Sequence, residues 1–338
     1  MLSVPGIVST FVEPGLALLS DAGRRRRVVL GGGALFILAL FAFAAAPDLP
    51  VLLAASSLFS PASGAFVSLA QATWMDLEPE ATERNMARWV LAGSVGNVLG
   101  PLLLGAAILV GAGWREATLV AAVLTVPALL AATRLPYPEP HPEITDLRAA
   151  VRRAIRALRS RSVLRWLTLL QLTDLLQDVF LGYLALYLVD VANVSPQIAG
   201  MGVAVWTASA LAGDALLLRA LRRVDGLRLL RWSAAVTLLA YPAFLASGSA
   251  IVKIALLVPL GILLAGWYAI PRARLYAELP ARGGTAVAIG APADLLGSLL
   301  PLGIGVAASR FGLDAAMWLL LAAPISLFVL LPGRARTT

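Results

Sequence analysis

Eleven long apolar runs dominate the sequence and constrain it to a membrane fold. A helix needs about 20 predominantly apolar residues to cross the hydrocarbon core of a bilayer, and most of the runs have that length. Apolar residues make up 59% of the 338 residues and charged residues 14%, whereas soluble domains average about 45–50% and 25%. We therefore predict an all-α integral membrane protein with spans at residues 2–20, 28–46, 50–73, 89–112, 117–133, 166–188, 197–218, 229–247, 251–270, 284–308 and 313–331.

The basic residues predict how these spans are oriented. With the runs placed in the membrane, alternate loops hold all but three of the 27 lysines and arginines, and the exceptions are Arg115, Lys253 and Arg310. An excess of lysine and arginine marks the cytoplasmic side. The C-terminus is therefore predicted to be cytoplasmic. Because arginine far outnumbers lysine, we expect a GC-rich bacterial gene and a multi-pass protein of the bacterial inner (plasma) membrane.

Other functional classes lack their usual residues. The chain has no cysteine, which excludes disulfides and thiolate metal sites, and His141 lies in a proline-rich loop, where we expect a solvated linker residue. The arginines are spread over membrane-flanking loops, so an isoelectric point of about 10.7 does not indicate nucleic-acid binding. No G-x-x-x-x-G-K-[ST] loop is present to bind ATP, and no H-E-x-x-H or G-x-S-x-G motif indicates an intramembrane enzyme. We expect neither a cofactor nor an enzymatic reaction.

The longest polar loop divides the chain into two predicted halves. Residues 1–133 hold five spans, residues 134–165 form a cytoplasmic connecting loop, and residues 166–338 hold six spans. A first helix missing upstream of Met1 would equalise the halves, while a genuine eleven-span protein is the alternative. Within the loop, residues 143–162 place apolar side chains at helical spacing with arginines on the other faces, which predicts an interfacial amphipathic helix beside anionic headgroups.

The fourth apolar run contains a stripe of small residues. Small residues four apart allow helix backbones to approach closely in a membrane, and a proline there frees a backbone carbonyl and allows a bend. We therefore predict a helix-packing surface formed by Gly93, Gly96, Gly100, Pro101 and Gly105.

The first predicted cytoplasmic loop carries a second motif. An acidic residue ends a span, a glycine turns the chain and a basic cluster follows, in the form of Asp21, Gly23, Arg24 and Arg25. We predict that Asp21 pairs with a basic residue at a neighbouring helix end, such as Arg84 or Arg88, as a gating contact. A degenerate second copy is predicted where Asp214 ends a later span and Arg219 follows it.

These motifs resemble those of the major facilitator superfamily (MFS), in particular its drug/proton antiporters. Two departures from the family pattern are Leu104, where a glycine is common, and the single Ala22 between Asp21 and Gly23, where two residues are usual. The resemblance covers the whole chain. It implies a bundle of two pseudo-symmetric halves, with eleven of twelve expected helices present, that alternates access to a central site. We expect a monomer in the lipid bilayer.

Four carboxyl groups are predicted inside the spans, at Glu13, Asp174, Asp178 and Asp294. An ionisable group in the membrane is a functional candidate because its charge is costly there. Asp174 and Asp178 share one helix face with Gln171, and no basic residue of the spans faces them. Because two ionised carboxylates repel, one of them is expected to hold a proton. The alternative is that these groups only make a wet cavity polar.

Substrate-cavity candidates are polar or aromatic side chains inside the predicted bundle, namely Asn97, Gln171, Tyr183 and Trp206. The function that fits best is secondary active transport, as proton-coupled efflux of a small amphipathic compound. Proton-coupled import of a sugar, organic acid or peptide, and a transport-inactive truncation, remain as alternatives.

The predicted orientation can be tested by labelling single cysteines introduced into this cysteine-free chain. A membrane-impermeant maleimide is expected to label positions 48 and 192 on intact cells, and positions 24 and 222 only after permeabilisation, because the basic loops are predicted inside. Labelling of position 24 or 222 on intact cells would reverse the topology.

Overall fold

A computed structural model describes residues 3–138, 147–280 and 282–332, and within these ranges every regular element is helical. Each of the eleven predicted spans corresponds to helix there, which confirms the all-α membrane fold class. His141, Arg334, Arg336 and the predicted beginning of the loop helix at 143–146 lie outside the described residues.

The first predicted half contains α1 Ser3–Leu19, α2 Arg25–Ala45, α3 Leu49–Ser63, α4 Leu69–Leu77, α5 Thr82–Leu109 and α6 Trp114–Arg134, and the connecting loop contains α7 Leu147–Ala157. The remaining helices are α8 Arg161–Asp174, α9 Phe180–Asp190, α10 Pro196–Ala220, α11 Gly226–Ala246, α12 Ala250–Leu263, α13 Ala269–Ala277, α14 Gly283–Gly297, α15 Leu299–Phe311, α16 Leu313–Met317 and α17 Ala322–Leu330.

Nine helices in the described residues are long and apolar enough to cross a membrane. One of them, Val8–Ala45, joins two predicted spans across a kink at Ala22 and Gly23. Gly23 has a φ of 86°, a conformation that glycine adopts without steric cost. The predicted span 251–270 is divided between the shorter apolar helix α12 and the start of α13.

Helix starts follow from local side-chain chemistry. Asp48 accepts a hydrogen bond of 3.0 Å from the N–H of Val51 at the start of α3, and Asp225 accepts one of 3.2 Å from Arg228 at the start of α11. These carboxylates satisfy N–H groups that have no partner inside the helix. The two caps therefore fix where α3 and α11 begin.

Two spans are widened by single π-turns. Gly64–Ser68 separates α3 from α4, and Leu175–Val179 separates α8 from α9. Such insertions are rare and occur frequently at functional sites. The first contacts Glu13 through Gly64, and the second directly follows Asp174.

The loop helix α7 is present over Leu147–Ala157, as the amphipathic pattern predicted. Its buried face consists of alanines, whereas Leu147, Val151 and Ile155 remain exposed beside the arginines. An exposed apolar stripe next to basic side chains suits a membrane surface. The interfacial role stays a prediction.

The described residues group into two compact units. The first comprises Met1–Thr82, Leu99–Val163 and Leu275–Pro292, and the second comprises Glu83–Val98, Leu164–Arg274 and Ala293–Thr338. Each unit is built mainly from one predicted half and includes a segment of the other.

The core of the second unit is an aromatic cluster. The ring of Phe180 lies 4.8 Å from that of Trp206 and meets Tyr241 and Phe244 edge-on at 5.7 and 5.6 Å. All four side chains are buried. Trp206, predicted to line a substrate cavity, is therefore a core residue, because its ring is enclosed by this cluster.

Lys253, one of the three exceptions to the predicted cytoplasmic side, lies in the first turn of α12 and is only 3% exposed. Its ammonium group donates hydrogen bonds to the hydroxyl of Tyr187 at 2.8 Å and to the carbonyls of Phe244 and Leu245 at 2.8 and 2.9 Å. The two carbonyls belong to the last turn of α11, where a cation is favourable. Lys253 thus joins the ends of α9, α11 and α12.

In the first unit, α2 packs closely on the π-turn after α3. A Cβ added at Gly32 would lie 2.6 Å from the Cβ of Ala65 and 3.0 Å from its backbone carbon, whereas nothing lies within 4 Å of one added at Gly31. Only Gly32 therefore permits this approach of the two backbones.

We expect Gly32→Ala to destabilise the protein by about 1–3 kcal/mol, the usual cost of overpacking a core. Gly31→Ala is the matched control, and it should be neutral or slightly stabilising because alanine favours helix. Thermal unfolding of both variants in one detergent measures the difference. Equal unfolding temperatures would mean that the α2 contact is not tight.

Candidate functional site

A buried charged cluster lies where α1 ends and α2 begins. Asp21 and Arg25 are 4% and 5% exposed. The Arg25 guanidinium donates to Asp21 at 2.5 Å and also to Asp76, the penultimate residue of the α3–α4 span. One arginine thus neutralises part of the charge of two carboxylates, which is the usual condition for burying them.

The first turn of α14 supplies the remaining hydrogen-bond donors. Asp21 accepts the N–H of Gly284 at 2.9 Å and both the N–H and the hydroxyl of Thr285, at 2.6 and 2.7 Å. Asp76 accepts the N–H of Gly283 at 2.9 Å. Free N–H groups and the helix dipole make a helix N-terminus favourable for anions. We call these six residues, Asp21, Arg25, Asp76, Gly283, Gly284 and Thr285, the Asp21 cluster.

The two glycines permit this contact. A Cβ added at Gly284 would collide with the carbonyl of Ala17 and lie 2.5 Å from a carboxylate oxygen of Asp21. One added at Gly283 would lie 2.7 Å from Asp76. The carboxylates can therefore reach the backbone of α14 only because no side chain stands there.

The structure corrects the predicted partner of Asp21. The predicted partners were Arg84 and Arg88, but Asp21 pairs with Arg25, four residues away on the same turn. Arg88 instead donates to the side chain of Asn85 at 3.1 Å. Arg24 is exposed, so only Asp21, Gly23 and Arg25 of the loop motif contribute to the buried arrangement.

The second unit contains a more exposed charged cluster. Arg274 forms an ion pair with Glu83 at 2.7 Å and donates a hydrogen bond of 3.4 Å to Asp225, the cap of α11. These side chains are one quarter to more than half exposed. Because exposed ion pairs contribute little to stability, this cluster is expected to be weaker than the Asp21 cluster.

Three predicted carboxyl groups come together in the second unit. The Gln171 amide donates to Asp294 at 2.7 Å, and Asp174 lies within electrostatic range of both Asp178 and Asp294. In the described part of the chain, none of these carboxyl groups forms an ion pair. We call Gln171, Asp174, Asp178 and Asp294 the Asp174 cluster.

Local backbone features position this cluster. The π-turn Leu175–Val179 separates Asp174 from the next turn of the span. Gly297, one turn after Asp294, leaves room for the Gln171 side chain, which a Cβ there would strike. Sequence spacing therefore found the carboxyl groups on α8 and α14, and the fold brings them together.

Glu13, the fourth predicted carboxyl group, belongs to the first unit. It is half-buried, accepts a hydrogen bond from the Ser9 hydroxyl, and packs against Gly64 of the first π-turn. Glu13 is therefore a separate candidate, beside a second irregular helix segment.

The remaining substrate candidates differ in their surroundings. The Tyr183 hydroxyl donates to the carbonyl of Pro301 at 3.0 Å, and Asn97 is exposed on α5. Tyr183 thus fixes α9 against α15. The role of Asn97 in a substrate cavity stays a prediction.

The glycines of the predicted packing stripe on α5 have open space beside them in the described part of the chain. Nothing lies within 4 Å of a Cβ added at Gly93, Gly96, Gly100 or Gly105. Tight glycine contacts are found elsewhere, for example between α10 and α12, where an added Cβ would be 2.9 Å from Ile262 at Gly213 and 2.8 Å from Ser209 at Gly261. Composition alone does not reveal which glycine-containing surface has a partner.

Asp214 was predicted at the end of a span, but α10 continues to Ala220. The side chain is 6% exposed and accepts a hydrogen bond of 2.5 Å from the hydroxyl of Ser94 on α5. Asp214 is therefore a buried carboxyl group inside a span.

The two charged clusters predict unequal responses to loss of a carboxylate. Asp76→Asn leaves Arg25 partly unpaired in a buried site, which costs about 3–5 kcal/mol. Glu83→Gln removes a partly exposed pair, for which about 0.2–1 kcal/mol is typical. Thermal unfolding of the two variants in one detergent compares them, and an equal or larger effect of Glu83→Gln would contradict the assignment of Asp76 to the buried cluster.

The comparisons with known proteins agree with this architecture. The family model "Major Facilitator Superfamily" matches residues 1–302. A search of curated proteins finds no match.

Solved structures share the fold along nearly the whole chain. An E. coli fucose:proton symporter, FucP, superposes with a TM-score of 0.80 at 12% identity, over 99% of this chain and 91% of that chain. The human organic anion transporter MFSD10 (TETRAN) gives 0.75 at 22% identity, over 98% and 82%. The proton:xylose symporter XylE gives 0.68 at 14% identity, over 96% and 89%. Because the family model matches residues 1–302, which is most of this chain, the chain belongs to the Major Facilitator Superfamily of membrane transporters.

Proposed function

We propose that this transporter exports small amphipathic compounds in exchange for protons, and that the Asp174 cluster carries the protons. The observation that carries the proposal is the cluster itself. Three carboxyl groups lie together in membrane-spanning helices, and within the described residues no arginine or lysine forms an ion pair with them.

The physical argument begins with the cost of charge. An ionised carboxylate at the centre of a bilayer costs at least ~2.5–3.5 kcal/mol on insertion scales, and neighbouring carboxylates repel when both are ionised. Gln171 donates a hydrogen bond to Asp294. The proton is then held by Asp174 and Asp178, and it leaves when the site opens to water of lower proton concentration.

The same groups favour a class of substrate. Carboxylates attract cationic compounds and tolerate neutral ones, whereas they repel organic anions. A cationic compound that enters the cluster favours ionisation of Asp174 and Asp178 and so displaces their proton. Exchange of a proton for a cationic or neutral amphipathic compound follows from this competition.

The Asp21 cluster provides the contact that closes the side predicted to be cytoplasmic. It joins α1, α2, α4 and α14 through one buried arginine and four donors from α14. Because the carboxylates would lose these donors if α14 moved away, the contact opposes opening. Proton or substrate binding must therefore supply the free energy that breaks it.

Proton-coupled import is the second candidate function. FucP and XylE have this fold and are proton symporters by name, and an importer would use the same carboxyl groups. Efflux is supported by the resemblance of the stripe that contains Gly96, Gly100, Pro101 and Gly105 to the family's antiporter motif. A transport-inactive chain is the third outcome.

Everted membrane vesicles distinguish these candidates. Addition of ethidium, an amphipathic cation, should dissipate a preset pH gradient if the protein is an antiporter. Uptake of L-fucose or D-xylose that drives proton entry into whole cells would identify a symporter instead.

Asp174→Asn is expected to abolish proton-coupled transport and to preserve substrate exchange at zero pH gradient. Asparagine keeps the shape and hydrogen bonding of the side chain but binds no proton. Asp178→Asn should have a milder effect, because Asp174 can still carry a proton. Proton and ethidium fluxes in proteoliposomes, measured over a pH series, separate the two activities.

The matched control is Asp190→Asn, which makes the same change at an exposed position on α9, the other helix of that span. It should transport as the unaltered protein does. If Asp174→Asn keeps the original pH profile and gradient dependence, the cluster is only cavity lining, and Glu13 becomes the next carrier to test.

A further inference from the structure

We propose that Asp214 is a second proton-binding group, which holds α5 against α10 when it is protonated and releases α5 when it ionises. Asp214 is separate from the Asp174 cluster and from the Asp21 cluster, so the inference goes beyond the proposed function. It rests on the burial of this side chain and on its single described hydrogen bond, from Ser94 at 2.5 Å.

Two aspartates of this chain are buried to a similar degree but in different surroundings. Asp21, 4% exposed, is paired with Arg25 and accepts three further hydrogen bonds from Gly284 and Thr285. Asp214, 6% exposed, accepts one hydrogen bond from a neutral hydroxyl. Since a buried carboxylate needs a counter-charge or several donors, Asp21 can stay ionised where it lies, and Asp214 can stay buried only as the neutral acid.

The packing around Asp214 keeps water away from one side. At the preceding residue, Gly213, an added Cβ would lie 2.9 Å from the backbone of Ile262. Leu217, one turn later, is buried against Gly266. These contacts between α10 and the α12–α13 region are apolar, so they keep water from that side of Asp214.

No charged group of the packed elements faces Asp214 closely enough to compensate it. The charged groups of α5, α9, α10, α12 and α13, apart from Asp214 itself, are Glu83, Arg84, Arg88, Asp190, Arg219, Lys253, Arg272 and Arg274. Glu83 lies eleven residues before Ser94, a rise of about 16 Å, and pairs with Arg274. Arg88 donates a hydrogen bond to Asn85, and Lys253 donates hydrogen bonds to the Tyr187 hydroxyl and to two backbone carbonyls.

Separation of α5 from α10 therefore depends on the protonation of Asp214. In the closed contact, the neutral acid and the Ser94 hydroxyl satisfy each other. When α5 moves away, water solvates the carboxylate and the proton is released. Proton release and opening of this contact are thus one equilibrium, whatever compound is transported.

Distance measurements on the full chain in lipid nanodiscs test this, without any substrate. Spin labels on Ala92→Cys in α5 and Leu216→Cys in α10 report the separation by double electron–electron resonance over a pH series, because both positions are exposed and the chain has no other cysteine. The short distance should dominate at low pH and be replaced by a longer one as pH rises.

Asp214→Asn should keep the short distance at every pH, because asparagine stays neutral and can bond Ser94. Ser94→Ala, which weakens the closed contact in both protonation states, should move the transition about one unit to lower pH. Asp190→Asn, an exposed change of the same chemistry, should leave the transition in place.

A distance that does not depend on pH in the unaltered protein overturns the proposal, as does an unchanged transition in Asp214→Asn. If that variant does not fold, the Ser94→Ala transition decides: a shift to lower pH supports the proposal, and no shift overturns it. Since this measurement uses no substrate and no flux, its failure is distinct from failure of the Asp174 cluster to couple transport.

Discussion

The cost of keeping an ionised group away from water determines where this chain places its charges. In the Asp21 cluster, two carboxylates are held by one arginine and by the first turn of α14, so that charge and donors are both supplied. The Asp174 cluster and Asp214 lack a described cationic partner. Groups of the first kind stabilise the fold, and we propose that groups of the second kind bind and release protons.

Local sequence predicted the helices and much of one site. The apolar runs placed all eleven helical segments because the bilayer imposes one length on each of them. Asp174 and Asp178 were found because a carboxyl group in an apolar run is conspicuous, and the four-residue spacing put them on one face. A turn of the chain at Gly23 was predicted because an acidic residue, a glycine and a basic cluster follow one another directly, and the structure has a kink there.

The sequence did not reveal contacts between distant segments. Asp76, Gly283 and Thr285 complete the Asp21 cluster, but Thr285 is 264 residues from Asp21, and its only sequence signal is a Gly-Gly-Thr at the start of a span. The glycine stripe on α5 was conspicuous and has no close contact here, whereas the less conspicuous Gly32 does. Trp206 was predicted to line a substrate cavity because it is an aromatic side chain in a span, but its ring packs against that of Phe180. In each case the partner is set by tertiary packing.

The hydrogen bonds of Lys253 explain why this residue is a lysine, although the chain uses arginine where it otherwise chooses between the two. Its nitrogen meets three acceptors, the Tyr187 hydroxyl and the carbonyls of Phe244 and Leu245, at 2.8, 2.8 and 2.9 Å. An ammonium group has three N–H bonds that diverge from a single atom, so each acceptor receives one. A guanidinium group is flat and directs five N–H bonds within one plane, which leaves some of them without acceptors in a buried pocket of this shape. The shape of the cation therefore selects lysine at this one place.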